Sequence, residues 1–229
     1  MSMEQKLKTR GILTLASFTV VLVLIFMPIF PGKVNGLDYM DNLFNMVSKG
    51  SSYFIPKAIE DSGGFSGKTI EVTITMASAA RAGETATMFS AAGAETEVND
   101  NQLTIRGDVA KITGASLADA DLFFHNTSGP VSEKYGFSGK QAMYNWWNSF
   151  KAITVELNKQ EKFSEAKLFA NVQQRALEPA YNYYGIEARN WKDNIALILF
   201  SLIFYVFYTL WYGFGIMWLF EGLGLKISH

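Results

Sequence analysis

The amino-acid sequence predicts a membrane protein of the α+β class, with an apolar helix near each end of the chain and a water-soluble domain between them. Two long stretches, residues 11–30 and 195–220, carry no charged side chain. The 229-residue chain is 49% hydrophobic, and this excess is concentrated in those two stretches. Between them, strand-like and helix-like patterns alternate in the order β-α-β-β-α, which is typical of a small α+β domain.

Residues 11–30 are predicted to form the first transmembrane span. A helix needs about 20 apolar residues to cross the roughly 30 Å hydrocarbon core of a bilayer. Three basic residues precede the stretch, namely Lys6, Lys8 and Arg10. A cleaved signal peptide is the alternative, but its apolar run is usually only ~7–15 residues long and ends in a small-residue cleavage pattern. Pro31 and Gly32 follow here instead, so we expect an uncleaved anchor.

Residues 195–220 are predicted to form the second span, with aromatic residues at its far end as in an interfacial belt, namely Trp211, Tyr212 and Trp218. A long loop crosses the membrane largely regardless of its charge, so the basic N-terminal cluster should decide the orientation. We therefore expect residues 1–10 and 221–229 in the cytoplasm. The central domain is expected to be periplasmic or extracellular, and the membrane to be a bacterial inner (plasma) membrane.

Residues 31–68 should contain a juxtamembrane amphipathic helix followed by a loop. The apolar residues Leu37, Met40, Leu43, Phe44 and Val47 follow the helical period. Such a helix could lie on the bilayer surface or pack on the domain. The glycine-rich run at 63–68 resembles a phosphate loop, but it precedes a strand rather than a helix, so we assign it no phosphate site.

Residues 69–136 are predicted to form the α+β domain with a small antiparallel sheet. Apolar and polar residues alternate over 70–76, as in a half-buried strand. An alanine-rich helix should follow over 79–92, ended by Gly93. Residues 95–98 and 102–106 flank a turn and suggest a hairpin. Asp108 and Ser116 are each placed to cap a short helix, and Asp119 lies three residues after Ser116 as in a capping box.

Residues 137–190 are predicted to form an antiparallel helical hairpin standing on the membrane and coupling the domain to the second span. The first helix should begin near Ser138. A seam of apolar residues runs along it: Met143, Trp146, Phe150, Ile153 and Leu157. A break near 159–163 precedes a second helix, for which Pro179 predicts a kink.

The sequence offers no catalytic, cofactor-binding or metal-binding set of residues. The absence of cysteine excludes disulfides, thiolate metal sites and a cysteine nucleophile. The two histidines, His125 and His229, are expected at a helix end and at the chain terminus. The carboxylates of Asp119 with Asp121, and of Glu60 with Asp61, are expected on the solvated surface. A net charge of −1 gives no indication of nucleic-acid binding.

The second span carries a stripe of hydroxyl groups at helical spacing: Ser201, Tyr205, Tyr208, Thr209 and Tyr212. Hydroxyl groups in hydrocarbon cost free energy unless they are paired, so this face should contact protein rather than lipid. Thr14 and Ser17 of the first span lie at the matching depth. The hydroxyls could pair within the chain or reach toward the membrane interface, or they could dock on another membrane subunit or a second copy. A lipid-soluble ligand such as a quinone is a third alternative.

These patterns lead to three functional hypotheses. The first is a non-catalytic accessory, structural or assembly subunit of a larger membrane complex, possibly a respiratory or other energy-transducing one, with the lipid bilayer and other membrane subunits or a homo-oligomer as partners. The second is an extracytoplasmic ligand-binding sensor. It would have to signal through a partner, because few residues lie on the cytoplasmic side. The third, an enzyme, lacks any visible nucleophile–base or metal set.

Overall fold

The computed structural model describes residues 2–225 and has a helix-dominated α+β fold with a small antiparallel sheet. The helices are α1 (Met3–Phe26), α2 (Gly36–Ser51), α3 (Ile55–Gly63), α4 (Ala79–Ala91), α5 (Val109–Phe124), α6 (Gly129–Tyr135), α7 (Gly139–Lys159), α8 (Phe163–Val172), α9 (Glu178–Asn182) and α10 (Ile195–Gly222). The strands are β1 (Thr69–Thr75), β2 (Glu95–Asn99) and β3 (Gln102–Asp108).

The chain forms two compact units, and the boundaries fall within α2 and just after Ala188. One unit contains α1, most of α2 and α10. The other is Ser48–Ala188. It holds the sheet together with α3 to α9, so the helices expected as a separate hairpin share a unit with the sheet.

Helix α1 begins and ends earlier than residues 11–30, the range predicted for the first span. Ser2 caps its start in a capping box with Gln5, so the charged N-terminal residues are helical. The helix ends at Phe26, because Met27 adopts extended backbone and Pro28 follows. The first transmembrane candidate is therefore Met3–Phe26.

The three strands form one antiparallel sheet in the order β1-β3-β2, with Val72 opposite Ile105 and Val98 opposite Leu103. The alternation in β1 is confirmed, because Ile70, Val72 and Ile74 are buried while the residues between them are exposed. The predicted hairpin is also confirmed. Asp100 takes the positive φ that its turn requires.

Helix α4 confirms the alanine-rich prediction, and Gly93 follows it with a φ of +80°. Helix α5 is one continuous helix capped by Asp108, whose carboxylate accepts the backbone N–H of Lys111 at 2.9 Å. The prediction that Ser116 caps a separate helix is wrong. Ser116 is buried in the middle of α5, and its hydroxyl donates to the carbonyl of Thr113.

The apolar seam of α7 is confirmed and contributes to the core of the domain. Trp146 packs edge-on against Phe89 of α4, and Phe150 packs against Phe169 of α8. The break at residues 160–162 is present. After α8 the helix widens into a π-helical turn, Gln173–Leu177, before α9. The irregularity therefore directly precedes Pro179, whose ring cannot follow a regular α-helical turn.

Two short helices, α3 and α6, were not predicted from the sequence; α3 lies in the region expected to be a loop. Each has a proline in its first turn. Proline is tolerated there because the N–H groups of the first turn make no hydrogen bond within the helix. Each also places an apolar residue in the core, Ile55 from α3 and Val131 from α6.

Candidate functional site: the paired apolar helices

Helices α1 and α10 pack against each other in antiparallel orientation, and glycine residues allow their backbones to approach closely. A Cβ atom built on Gly11 would lie 2.5 Å from the backbone nitrogen of Leu219. One built on Gly215 would lie 2.8 Å from a methyl carbon of Leu15. Gly222 lies directly against the backbone of Lys8. Small residues at these contacts are typical of helix pairs in membranes.

Aromatic side chains fill the interface further along the two helices. The ring of Phe18 on α1 stacks on Tyr208 of α10, with centroids 4.4 Å apart, and also contacts Tyr212 at 5.1 Å. At the other end of the interface, the guanidinium of Arg10 lies 3.8 Å from the ring centroid of Trp218. This cation–π contact lies where an aromatic belt would meet the basic end of α1.

The residues of the predicted hydroxyl stripe do not all face the same way. Tyr208 and Tyr212 contact Phe18, whereas Tyr205 points outward with 69% of its surface exposed. The smaller hydroxyls donate to carbonyls of their own helix: Ser201 to Ile198, Thr209 to Tyr205, and Ser17 to Thr14. Thr14 contributes a methyl group within 3.4 Å of the Cβ position of Gly215. Only part of the stripe therefore remains open to a partner.

The outer surface of this helix pair is apolar. In the most apolar 18-residue segment of Met3–Phe26, 6% is buried, and in that of Trp191–Gly222, 0% is buried. Large exposed side chains include Leu13, Val20 and Val23 on α1, with Leu199, Phe200, Ile203, Phe207 and Phe214 on α10. The core helix of a soluble protein would be mostly buried instead. Water is a poor solvent for so much contiguous apolar surface.

The expectation that Asp119 lies on the solvated surface is wrong. It is 2% exposed, and one carboxylate oxygen accepts the hydroxyl of Tyr135 at 2.5 Å and the indole N–H of Trp146 at 2.8 Å. The other accepts the ammonium of Lys134 at 3.0 Å. Burial and the adjacent carboxylate raise the pKa of Tyr135 well above its ordinary value. Both carboxylate oxygens of Asp119 thus have hydrogen-bond partners, and the cluster connects α5, α6 and α7 as a structural network.

Lys49 is a second buried charge that the sequence pattern did not reveal. It is 1% exposed, and its ammonium donates to the side-chain oxygen of Asn126 at 2.9 Å and to the carbonyls of Tyr183 and Ile186 at 3.1 and 2.6 Å. Burial lowers the pKa of Lys49. The three hydrogen bonds of the Lys49 ammonium thus connect the start of the domain, near residue 49, with its end, near residue 186.

The remaining candidate residues lie at or near the surface of the domain. Glu60 and Asp61 are exposed and pair with Lys57 on α3. Asp121 accepts the hydroxyl of Tyr53 at 2.7 Å, which raises the pKa of Tyr53 to about 12. His125 follows the last turn of α5, as expected, and His229 lies outside the described residues. Among residues 2–225, no group of three or more histidine or acidic side chains is positioned to hold a metal ion.

No protein-family model, curated protein or solved structure matches this chain. The functional interpretation therefore depends on the geometry of this chain.

Proposed function

We propose that this chain is a two-pass integral membrane protein that serves as a non-catalytic subunit of a larger membrane complex. In this proposal α1 and α10 span the bilayer as an antiparallel pair and hold Ser48–Ala188 on the extracytoplasmic side. The observation that carries it is the outward surface of this pair, which is largely apolar over residues 11–26 and 195–220 and is interrupted by the exposed Tyr205.

The packing of α1 on α10 supports an uncleaved anchor. A signal peptide leaves the mature protein, whereas α1 fits α10 through contacts at Gly11, Gly215 and Gly222. Antiparallel packing brings Lys8 next to Gly222, so two spans in this arrangement have both ends on one side of the membrane. The basic residues before α1 favour the cytoplasmic side.

The position of Tyr205 supports a protein partner within the membrane. Tyr208 lies close to the middle of α10. Tyr205 is three residues away from it and is therefore roughly 5 Å from the centre of the span. A hydroxyl at that depth is too far from the headgroups for easy pairing, and an unpaired hydroxyl in hydrocarbon costs free energy. A polar group on another transmembrane helix would satisfy it. That helix belongs to another subunit or to a second copy of this chain.

Co-purification from mild detergent tests the proposal. Tyr205→Leu should reduce the recovery of stoichiometric companion subunits, or shift a homo-oligomer toward monomer, when native mass spectrometry is used as the readout. Phe207→Leu is the matched control, because Phe207 is equally exposed on α10 but carries no hydroxyl. Tyr208 should not be replaced in this experiment, since its loss would disturb the contact with Phe18. Unchanged association in Tyr205→Leu would exclude docking through this face.

A second candidate is an extracytoplasmic ligand-binding sensor that signals through a partner protein. The observation that favours it is an open groove on the domain, lined by Tyr144, Trp147 and Tyr181. If this candidate is correct, a ligand of the groove should raise the thermal unfolding temperature of the full-length protein.

A further inference from the structure

The domain carries an open surface groove in two adjoining parts, both lined by aromatic side chains. One part, with a volume of about 190 Å³, is lined by Tyr144, Trp147, Glu178, Tyr181 and Asn182. The adjoining part, of about 410 Å³, is lined by Ser138, Lys140, Gln141 and the same two tyrosines. Both parts are open to solvent, and Tyr144 and Tyr181 line both of them.

Three neighbouring aromatic rings line the groove. Tyr144 and Trp147 lie one turn apart on α7, with centroids 6.2 Å apart and ring planes inclined by 27°. Tyr181 of α9 lies 6.4 Å from Tyr144 with its plane inclined by 49°. Tyr144 is 44% exposed. The exposed ring of Tyr144, with Trp147 and Tyr181 beside it, offers apolar surface to a ligand ring.

The rim provides both hydrogen-bond donors and acceptors. Glu178 and Asn182 line one part of the groove, and Lys140 and Gln141 line the other. The indole N–H of Trp147 reaches a Glu178 oxygen only at 3.5 Å, so that carboxylate keeps most of its accepting capacity. Amide and carboxylate groups can bind neighbouring hydroxyl groups in pairs.

A π-helical turn in the backbone beside the groove determines where two of the lining residues lie. The π-helical turn Gln173–Leu177 immediately precedes Glu178. A π-helical turn shifts the register of the residues after it, and such turns are frequent at functional sites. Here the shifted residues include Glu178 and Tyr181, which form one side of the groove.

The charges around the rings argue against a cationic ligand. The ammonium of Lys140 lies 5.5 Å from the centroid of Tyr181, and that of Lys151 lies 5.5 Å from the centroid of Trp147. These lysines provide the rings with cations from the chain itself, and they would repel a further one. With Glu178 beside them, the groove also lacks the strongly basic lining that a nucleic-acid strand needs.

We propose that this groove binds a neutral carbohydrate chain of pyranose rings. The apolar C–H face of a pyranose would stack on Tyr144 and Trp147, and its hydroxyl groups would bond to Glu178, Asn182 and Gln141. This inference does not rest on the docking of α10, because every residue of the groove lies within Ser48–Ala188.

Saturation-transfer NMR with the full-length protein in phosphatidylglycerol nanodiscs, free of glycoside detergent, tests this inference. The probes are cellotetraose, maltotetraose and chitotetraose. At least one should bind with a millimolar or tighter Kd, with the strongest transfer to its ring C–H protons. Trp147→Ala and Tyr144→Ala should each weaken binding about tenfold, the loss expected for one stacked ring. Phe163→Ala, which removes an exposed ring outside the groove, should leave the affinity unchanged.

Three results would overturn the inference. The first is the absence of binding by all three tetrasaccharides at millimolar concentration. The second is binding that persists in both Trp147→Ala and Tyr144→Ala. The third is binding of tetramethylammonium that depends on Trp147 while no sugar binds, which would assign the site to cations. Because Tyr144 is largely at the surface, its variant gives a valid result even if Trp147→Ala fails to fold.

Discussion

Gly11 of α1 lies so close to Leu219 of α10 that a single added carbon atom would collide with the backbone, at 2.5 Å from the Leu219 nitrogen. Gly11 is also a fully buried position of α1. The contact therefore requires glycine at position 11 for the two backbones to approach this closely. An unrelated pair of apolar segments would not need glycine at this position.

Gly11→Val should therefore separate α1 from α10. Overpacking of a close contact typically costs about 1–3 kcal/mol, so the thermal unfolding temperature in mild detergent, followed by circular dichroism, should fall by several degrees. Gly213→Val is the control, because a Cβ atom at Gly213 meets nothing within 4 Å. Equal unfolding temperatures in the two variants would contradict the packing described here.

Asp119→Ala should be among the most destabilising single substitutions in the domain. It removes the acceptor for Tyr135, Trp146 and Lys134 and leaves the first two donors buried without a partner. Breaking a buried charged network costs about 3–5 kcal/mol, which lowers the unfolding temperature by about 10 °C. Asp61→Ala removes only an exposed ion pair and should cost no more than about 1 kcal/mol. A similar effect from both variants would show that the network contributes little.

Lys49→Met should loosen the two ends of the domain. The substitution leaves the carbonyls of Tyr183 and Ile186 without the ammonium donor, at a cost of about 2 kcal/mol. Hydrogen exchange should become faster in residues 183–188 and 126–128, as measured by mass spectrometry. Lys57→Met on the exposed face of α3 serves as the control. Exchange rates that do not change in Lys49→Met would mean that its three hydrogen bonds do not hold this region.

Stability should fall in acid partly because of Asp108. Hydrogen bonds from the backbone N–H of Lys111 hold the pKa of the Asp108 carboxyl below its ordinary value, helped by Gly67. A carboxyl whose pKa is lowered by folding stabilises the protein above its unfolded pKa of about 3.9 and loses that contribution as the pH falls through the folded value. The difference in unfolding free energy between the native protein and Asp108→Ala should be about 1 kcal/mol at pH 7. It should shrink at pH 3; a constant difference would contradict this assignment.

The sequence pattern predicted the elements whose side chains alternate or repeat over a long range. The strand β1, the β2–β3 hairpin and the seam of α7 belong to this group, because burial on one face leaves a periodic signal. It failed for α3 and α6, which are too short to show a period and have proline as their second residue. It also extended the first span too far, since Met27, Ile29 and Phe30 are apolar without being helical.

The buried polar groups could not be predicted for a different reason. Asp119 is neutralised by partners 15 to 27 positions further along the chain, and Lys49 is bonded to oxygens 77 to 137 positions away. A single sequence does not show which distant donors and acceptors meet. Lys49 lies at the end of an amphipathic helix, and Asp119 lies in a helix that also carries Lys111 and Asp121. Neither position indicates burial rather than exposure.

The topology of the two spans is tested most directly by cysteine labelling, for which this cysteine-free chain is well suited. Single variants Glu4→Cys, Glu97→Cys, Phe207→Cys and Leu225→Cys would be exposed to a membrane-impermeant maleimide in intact cells and after permeabilisation. We expect Glu97→Cys to react in intact cells, Glu4→Cys and Leu225→Cys to react only after permeabilisation, and Phe207→Cys to remain unreactive in the bilayer. Labelling of Glu4→Cys and Leu225→Cys from opposite sides, or rapid labelling of Phe207→Cys, would contradict the two-span arrangement.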